Sequence, residues 1–163
     1  DCEHIVGELM KGFLSKRPLS EEQKAEMKAN CPEIEEKYLS LLQRAVPAIA
    51  LPSFTALNTA FCNDVEPELV FAQCLMGLGK KDDILLCIST SGNSKNVVAA
   101  ALTAKALGLK TIGLTGKTGG RLKEICDICV CVPETETFKV QELHLPVYHY
   151  LCARVEKSFF SLA

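Results

Sequence analysis

Between an apolar run, Ile84–Ile88, and a helical segment, the chain carries Ser89-Thr90-Ser91-Gly92-Asn93-Ser94. Four hydroxyls, with a glycine that lets the backbone come close, are the donors a phosphate needs. Their place matters as much as their number, because ligands of open α/β sheets bind beyond the carboxyl ends of strands. A helix N-terminus there adds unpaired N–H groups and a partial positive charge. An ordinary strand-to-helix turn with a serine cap uses the same residue types, so the phosphate reading rests on hydroxyl density at this point. His4 and Glu8, four apart on a predicted helix, share one face and can hold a metal or a substrate together; a plain surface pair has the same spacing. Cys126-Asp127-Ile128-Cys129 has the spacing of a redox motif, but its second cysteine falls in a strand pattern and no helix starts between the two. Thr115-Gly116-Lys117 and Gly119-Gly120 resemble phosphate-loop fragments without the spacing of a Walker motif, which argues against an ATPase.

Periodicity predicts the elements that hold these residues. Ile84–Ile88 is apolar on both faces, as a covered parallel strand must be. Ser94–Leu107 is helical and ends at Gly108, and Thr111–Leu114 is apolar again. Strand, helix and strand within about 30 residues make a βαβ crossover. A strand over Ile128–Val132 follows a short helix over Arg121–Cys126. Upstream, Ile5, Val6, Leu9, Met10, Phe13 and Leu14 recur at helical spacing, predicting a helix over Asp1–Leu14 that Arg17-Pro18 stops. Ser20 opens another over Glu21–Asn30, with Gln23 as its capping-box partner. A turn of helix from Pro32 presents Ile34, Tyr38, Leu41 and Leu42 on one face. Ala48–Leu51 reads as a short strand, and Thr55–Phe61 and Glu68–Leu78 as helices, the second capped by Gly79. The chain closes with a helix from about Val140 to Phe160 that Pro146 should kink. We expect one α/β domain over residues 1–163. Its architecture is a three-layer α/β/α sandwich with a mostly parallel sheet and a helical insertion at about 15–45.

Composition narrows the function classes. Of 163 residues, 18 are Lys or Arg and 20 Asp or Glu, a net charge of −2, which argues against direct nucleic-acid binding. Apolar residues make up 48% and charged ones 23%, the proportions of a globular protein. No apolar run approaches the roughly 20 residues of a transmembrane helix, so no membrane partner is expected. The nine cysteines are odd in number and spread through apolar segments. They read as small buried hydrophobes in a reducing compartment, hence a cytoplasmic protein. Asp1 is not a methionine, and Asp1–Leu9 already reads as the middle of a helix, which predicts residues upstream in the natural protein.

The run Ile84-Leu85-Leu86-Cys87-Ile88-Ser89-Thr90-Ser91-Gly92-Asn93-Ser94, followed by Thr111-Ile112-Gly113-Leu114-Thr115-Gly116-Lys117, resembles the sugar isomerase (SIS) domain. Within that superfamily it resembles the phosphoheptose isomerases. The likeness extends through Asp127–Pro133 and Val140-Gln141-Glu142-Leu143-His144 to His149, and it resumes at Asp1–Leu9. It covers most of the chain apart from about Leu14 to Arg44. In that family an N-terminal helix, a first strand and a glycine-rich loop would stand before Asp1. The resemblance implies that Ser89, Thr90, Ser91 and Ser94 bind phosphate and that Asn63 and Asp64 contact the sugar. His4, Glu8, Gln141 and His149 match the family's metal-ligand positions, a donor set that suits zinc. Gln141 also counts among the substrate-binding positions, and Glu8 and His149 match the acid/base pair. His144 matches no such position and reads as a packing or surface histidine.

Gln141 and His149 are eight apart, about 12 Å along a straight helix. They meet one ion only if both side chains reach inward, if the helix begins after Gln141, if Pro146 bends it, or if two subunits contribute. The implied activity is an aldose–ketose isomerisation of sedoheptulose 7-phosphate to D-glycero-D-manno-heptose 7-phosphate through an enediol, with no nucleotide or redox cofactor. SIS domains also serve as non-catalytic sugar-phosphate sensors, and one resembling tetramer partners the bacterial replication initiator. Retained Glu8 and His149 favour the enzyme over such a module. Lys11-Gly12-Phe13 and Lys139-Val140-Gln141 stand where the family often has arginines, which bears on the exact sugar. The resemblance implies a homotetramer, and the closing helix, apolar nearly all round and in need of a second cover, fits a subunit contact.

Overall fold

The structure, a computed structural model, describes residues 1–160. The chain divides into two compact units, one of Asp1–Cys2 with Ala50–Val147 and the other of Glu3–Ile49 with the residues from Tyr148 on.

The first unit is built on a parallel sheet of β1 (Ile84–Ser89), β2 (Lys110–Thr115) and β3 (Ile128–Cys131), in that order. Ser89 stands opposite Thr115, and Thr115 opposite Cys131, so the carboxyl ends of all three strands share one edge. α6 (Lys95–Ala106) makes the crossover from β1 to β2. Its buried face is Ala100, Ala101 and Ala104, small enough for the helix to lie close to its neighbours. One cluster gathers Leu75, Ala100, Ala104 and Leu109, the other Cys87, Ala101, Leu122 and Ile125. Complete burial of a side chain such as Leu122 is worth about 1.5–3 kcal/mol. α4 (Thr55–Asp64), α5 (Val70–Leu78) and α7 (Gly120–Ile125) complete this unit with the start of α8 (Thr137–Phe160). The α/β class and the parallel sheet are as expected.

Two local expectations fail here. No strand forms over Ala48–Leu51; instead Leu51–Ser53 is one turn of 3-10 helix, with Pro52 unable to donate to a ladder. Gly79 does end α5, but in extended backbone and not in the left-handed region. Its value is room, since a Cβ there would stand 2.9 Å from the Leu75 carbonyl oxygen.

The second unit holds α1 (Cys2–Met10) from Glu3 on, α2 (Glu21–Asn30), α3 (Glu36–Leu41) and the remainder of α8. Ser20 and Gln23 form the expected capping box, with N–H-to-oxygen distances of 3.2 and 3.1 Å. α2 buries none of its residues, which fits its polar sequence. α1 stops at Met10, four residues short of the predicted end. Tertiary partners take over the backbone beyond it: Gly12 N–H donates to Gln43, and Phe13 and Leu14 N–H donate to the Glu156 carboxylate. On α3 the buried residue is Leu39, whereas Tyr38, Leu41 and Leu42 are exposed, so the expected apolar face points outward.

α8 begins at Thr137 and runs through Pro146. Every fourth residue is buried: Val140 and His144 in the first unit, then Tyr148, Cys152 and Glu156 in the second. That spacing is one stripe of a helix, and it includes a histidine and a glutamate that a hydropathy pattern assigns to solvent. Among the described residues, no helix is long and apolar enough to cross a membrane.

Candidate functional site

The serine loop lies where β1 hands over to α6, at the carboxyl edge of the sheet. Ser89 is buried, and its hydroxyl lies 2.9 Å from the Ser94 hydroxyl. Ser94 is the N-cap of α6, yet its side chain accepts no hydrogen bond from the helix. Val97 N–H in the first turn donates instead to Asn96 Oδ1 at 2.9 Å, so the N–H groups ahead of it are the ones that could meet an anion. Gly92 has φ +70°, a conformation that favours glycine. A Cβ at Gly92 would run into the Gly119 carbonyl, so only glycine lets the loop approach the turn before α7 so closely. Asn93 ties the same two loops together: its Oδ1 accepts from Arg121 N–H (3.0 Å) and its Nδ2 donates to Ser91 O (3.1 Å). Thr90 accepts from Gly116 N–H at 2.9 Å, linking the loop to the end of β2. Ser91, Asn93 and Ser94 frame the loop's outer side, and an open depression of about 320 Å³ is lined by Pro67, Glu68, Ser94, Lys95 and Asn96.

The second unit brings three further predicted residues together. His4 and Glu8 share a face of α1, with His4 Nε2 3.3 Å from Glu8 Oε1. His149 on α8 has its ring centroid 5.1 Å from that of His4, edge to face. Phe13 covers another side of His149 at 5.5 Å. The other Glu8 oxygen accepts from Lys11 Nζ at 3.1 Å. That hydrogen bond holds the Glu8 carboxyl below its ordinary pKa against the opposing effect of burial, with His4 adding a smaller effect. Glu8 is thus ionised at neutral pH and able to accept a proton.

Sequence reasoning missed the partners that fix this group. The Tyr148 hydroxyl lies 2.9 Å from His4 Nδ1. Arg17 and Glu156, both fully buried, form an ion pair of 2.7 Å. Arg17 also donates to the carbonyls of Leu9 and Glu8, at 2.7 and 3.1 Å, closing off the end of α1. The available signal was the buried stripe of α8 at every fourth residue, which hydropathy alone breaks at His144 and Glu156.

The remaining predicted residues, Asn63, Asp64 and Gln141, belong to the first unit. Asn63 and Asp64 are the exposed last two residues of α4. Gln141, also exposed, lies on the part of α8 that belongs to the first unit, whereas His149 belongs to the second. The helix does not begin after Gln141, so that route to a shared ion is closed. His144 is fully buried, with neither ring nitrogen hydrogen-bonded, and desolvation holds its pKa below the ordinary value. All nine cysteines are free. Burial pushes the Cys74, Cys87, Cys126, Cys129 and Cys152 thiols up, which keeps them protonated and unreactive.

For a metal, His4 and Glu8 offer two donors of the kinds zinc takes. Among the described residues, however, no group of three or more His, Cys, Asp or Glu side chains is arranged to hold an ion. The donor set does not fit as it stands, and no chemical step is derived through a metal.

Comparison with known proteins agrees with the fold. The SIS domain model matches residues 28–116. A phosphoheptose isomerase from a Nitratiruptor species is 49% identical over 117 residues, 72% of this chain and 63% of that protein. The phosphoheptose isomerase of Burkholderia pseudomallei is 36% identical over 160 residues, 98% of this chain and 68% of that protein. The solved structure of phosphoheptose isomerase GmhA from Neisseria gonorrhoeae superimposes with a TM-score of 0.74 at 28% identity, covering 96% of this chain and 70% of that one. The chain spans less than two thirds of the length of the Nitratiruptor relative, and the same is true of a Helicobacter pylori relative at 62%. On this match of sequence and fold, the chain belongs to the phosphoheptose isomerase family of SIS-domain proteins.

Proposed function

We propose that the protein is an aldose–ketose isomerase that converts sedoheptulose 7-phosphate to D-glycero-D-manno-heptose 7-phosphate. The observation that carries this reading is an ionised Glu8 grouped with His4 and His149 in a chain that also keeps an uncapped, serine-rich helix N-terminus. The two sets of residues divide the chemistry. Ser89, Thr90, Ser91 and Ser94, with the first N–H groups of α6, hold the phosphate, and Asn63, Asp64 and Gln141 bind the sugar. Isomerisation moves one proton between C1 and C2 through an enediol and consumes nothing. Glu8 takes a proton from C1 of the ketose and returns it to C2 of the enediol, and His149, its partner, carries the proton that passes from the C1 hydroxyl to the C2 oxygen. Zinc, which the family likeness suggests, finds two donors in His4 and Glu8, and no step here runs through it.

We further propose a homotetramer in the cytoplasm. The exposed Leu143, Leu145, Tyr150 and Phe159 of α8 support a subunit contact, and nine free thiols suit a reducing compartment. Light scattering tests the assembly: a monomer that retains full turnover at nanomolar concentration contradicts it. The activity is tested by following sedoheptulose 7-phosphate by NMR beside other ketose phosphates. Appearance of the heptose aldose is expected. Binding of the sugar phosphate without turnover would leave the chain a non-catalytic sensor instead.

A further inference from the structure

The first N–H groups of α7 need acceptors from outside the helix, and its N-cap, Gly119, has no side chain to offer one. The serine loop supplies them instead. Arg121 N–H donates to Asn93 Oδ1 at 3.0 Å, and Leu122 N–H donates to the Gly92 carbonyl at 3.1 Å. The loop in turn takes its shape from the turn before α7. Gly92, Gly119 and Gly120 have φ of +70°, +77° and +51°. A Cβ on Gly92 would meet the Gly119 carbonyl, and one on Gly120 would stand 2.5 Å from the Ser91 carbonyl oxygen. The two backbones are in contact, with no room for a Cβ between them.

One side chain bridges that contact. The Asn93 amide accepts through Oδ1 from Arg121 N–H and donates through Nδ2 to the Ser91 carbonyl at 3.1 Å. A backbone N–H only donates and a carbonyl only accepts, so the two partners fix the amide in one orientation. Flipped, it would set donor against donor and acceptor against acceptor. Asn93 N–H also donates to Ser91 Oγ at 3.2 Å. That bond leaves unused the one proton of the Ser91 hydroxyl, and Ser91 is exposed, so the proton is available to an anion. Asn93 thus grips Ser91 at two oxygens and is itself tied to α7.

We propose that Asn93 is a positioning residue for phosphate binding, acting through Ser91: it moors the loop to the start of α7 and turns the Ser91 hydroxyl outward as a donor. The proposal deepens the reading of the serine loop as the phosphate site and rests on it.

Asn93→Ala removes both side-chain bonds. In the isomerase assay KM for sedoheptulose 7-phosphate should rise about three- to tenfold, the equivalent of one net hydrogen bond. The kcat should stay within about twofold, the pattern of lost uniform binding. Ser20→Ala removes the N-cap of α2 in the other unit and serves as the control for stability alone, with KM unmoved. An unchanged KM in Asn93→Ala, or an equal rise in Ser20→Ala, overturns the proposal. Amide hydrogen exchange followed by NMR gives an answer that does not depend on turnover. Arg121 N–H should exchange about threefold faster or more in Asn93→Ala. In the parent, saturating sedoheptulose 7-phosphate should slow that exchange, because an anion held by Ser91 stiffens what Asn93 moors; this arm needs no variant to fold. Arg121 exchange that responds to neither change overturns the mooring. If Ser91→Ala combined with Ser94→Ala leaves KM unmoved, the phosphate reading fails instead, and the exchange at Arg121 in Asn93→Ala still decides whether Asn93 ties the loop to α7.

Discussion

Replacing Glu156 by glutamine changes almost no volume and removes one charge from a place where charge has no access to water. The Glu156 carboxylate accepts three hydrogen bonds, from Arg17 Nε at 2.7 Å, Phe13 N–H at 2.8 Å and Leu14 N–H at 2.9 Å. Arg17 and Glu156 both have 0% side-chain exposure. A carboxamide has one accepting oxygen, and its NH2 group would turn toward a donor. Removing one partner of a buried ion pair costs about 3–5 kcal/mol, because the other charge stays buried and unpaired. An exposed pair would cost no more than about 1 kcal/mol. We therefore expect Glu156→Gln to lower the unfolding free energy by about 3–5 kcal/mol in urea titrations followed by circular dichroism. Adding Arg17→Met removes the orphaned guanidinium, so the double variant should be less destabilised than the sum of the single ones, with a coupling of about 0.5–3 kcal/mol. Burial pushes the Glu156 carboxyl up, but the bonds from Phe13, Arg17 and Leu14 together hold it below its ordinary value. A depressed carboxyl stabilises the fold above its unfolded pKa and loses that contribution as pH falls through the folded one. The difference between parent and Glu156→Gln should accordingly shrink in acid. A loss below about 1 kcal/mol at neutral pH would refute the reasoning, since it would mean that water reaches the pair.

Two other predictions concern the first unit. Ser91→Ala combined with Ser94→Ala should raise KM for the sugar phosphate about tenfold or more, as a hydrogen bond to a charged group is worth about 1.5–3 kcal/mol; an unchanged KM removes the loop from binding. His144 is held neutral by burial, so its folded pKa lies below the unfolded one near 6.5, and the unfolded chain binds the extra proton first. Stability should thus be full above about pH 6.5 and fall as the pH drops below it, and His144→Gln should flatten that slope in thermal melts. Equal slopes in the two proteins would contradict the assignment.

The elements that sequence predicted well are those decided by local chemistry. The Ser20 and Gln23 side chains satisfy backbone N–H groups within one turn, so the start of α2 needs no tertiary information. The Ile84–Thr115 crossover is likewise legible, because two apolar strands flank a helix with a clear start at Ser94. Where the reading failed, a distant residue decided the outcome. The apolar spacing of Phe13 and Leu14 continues the α1 pattern, yet Glu156, more than 140 positions away, takes their N–H groups and ends the helix. Ala48–Leu51 is too short an apolar run for periodicity to tell a strand from a turn. The grouping of His4 and Glu8 is written in their spacing, but their relation to Tyr148 and His149 depends on how α8 packs, and composition carries no trace of that.

The most direct test of the account is to run the isomerisation of sedoheptulose 7-phosphate in deuterated water with the parent chain and with Glu8→Gln. If Glu8 exchanges with solvent the proton it carries from C1 to C2, the parent should deliver the heptose aldose carrying solvent deuterium at C2. Glu8→Gln, still binding the sugar phosphate, should lose both turnover and incorporation by about 10²- to 10⁴-fold. Turnover and deuterium incorporation by Glu8→Gln at the parent rate would contradict the assignment of Glu8 as the base.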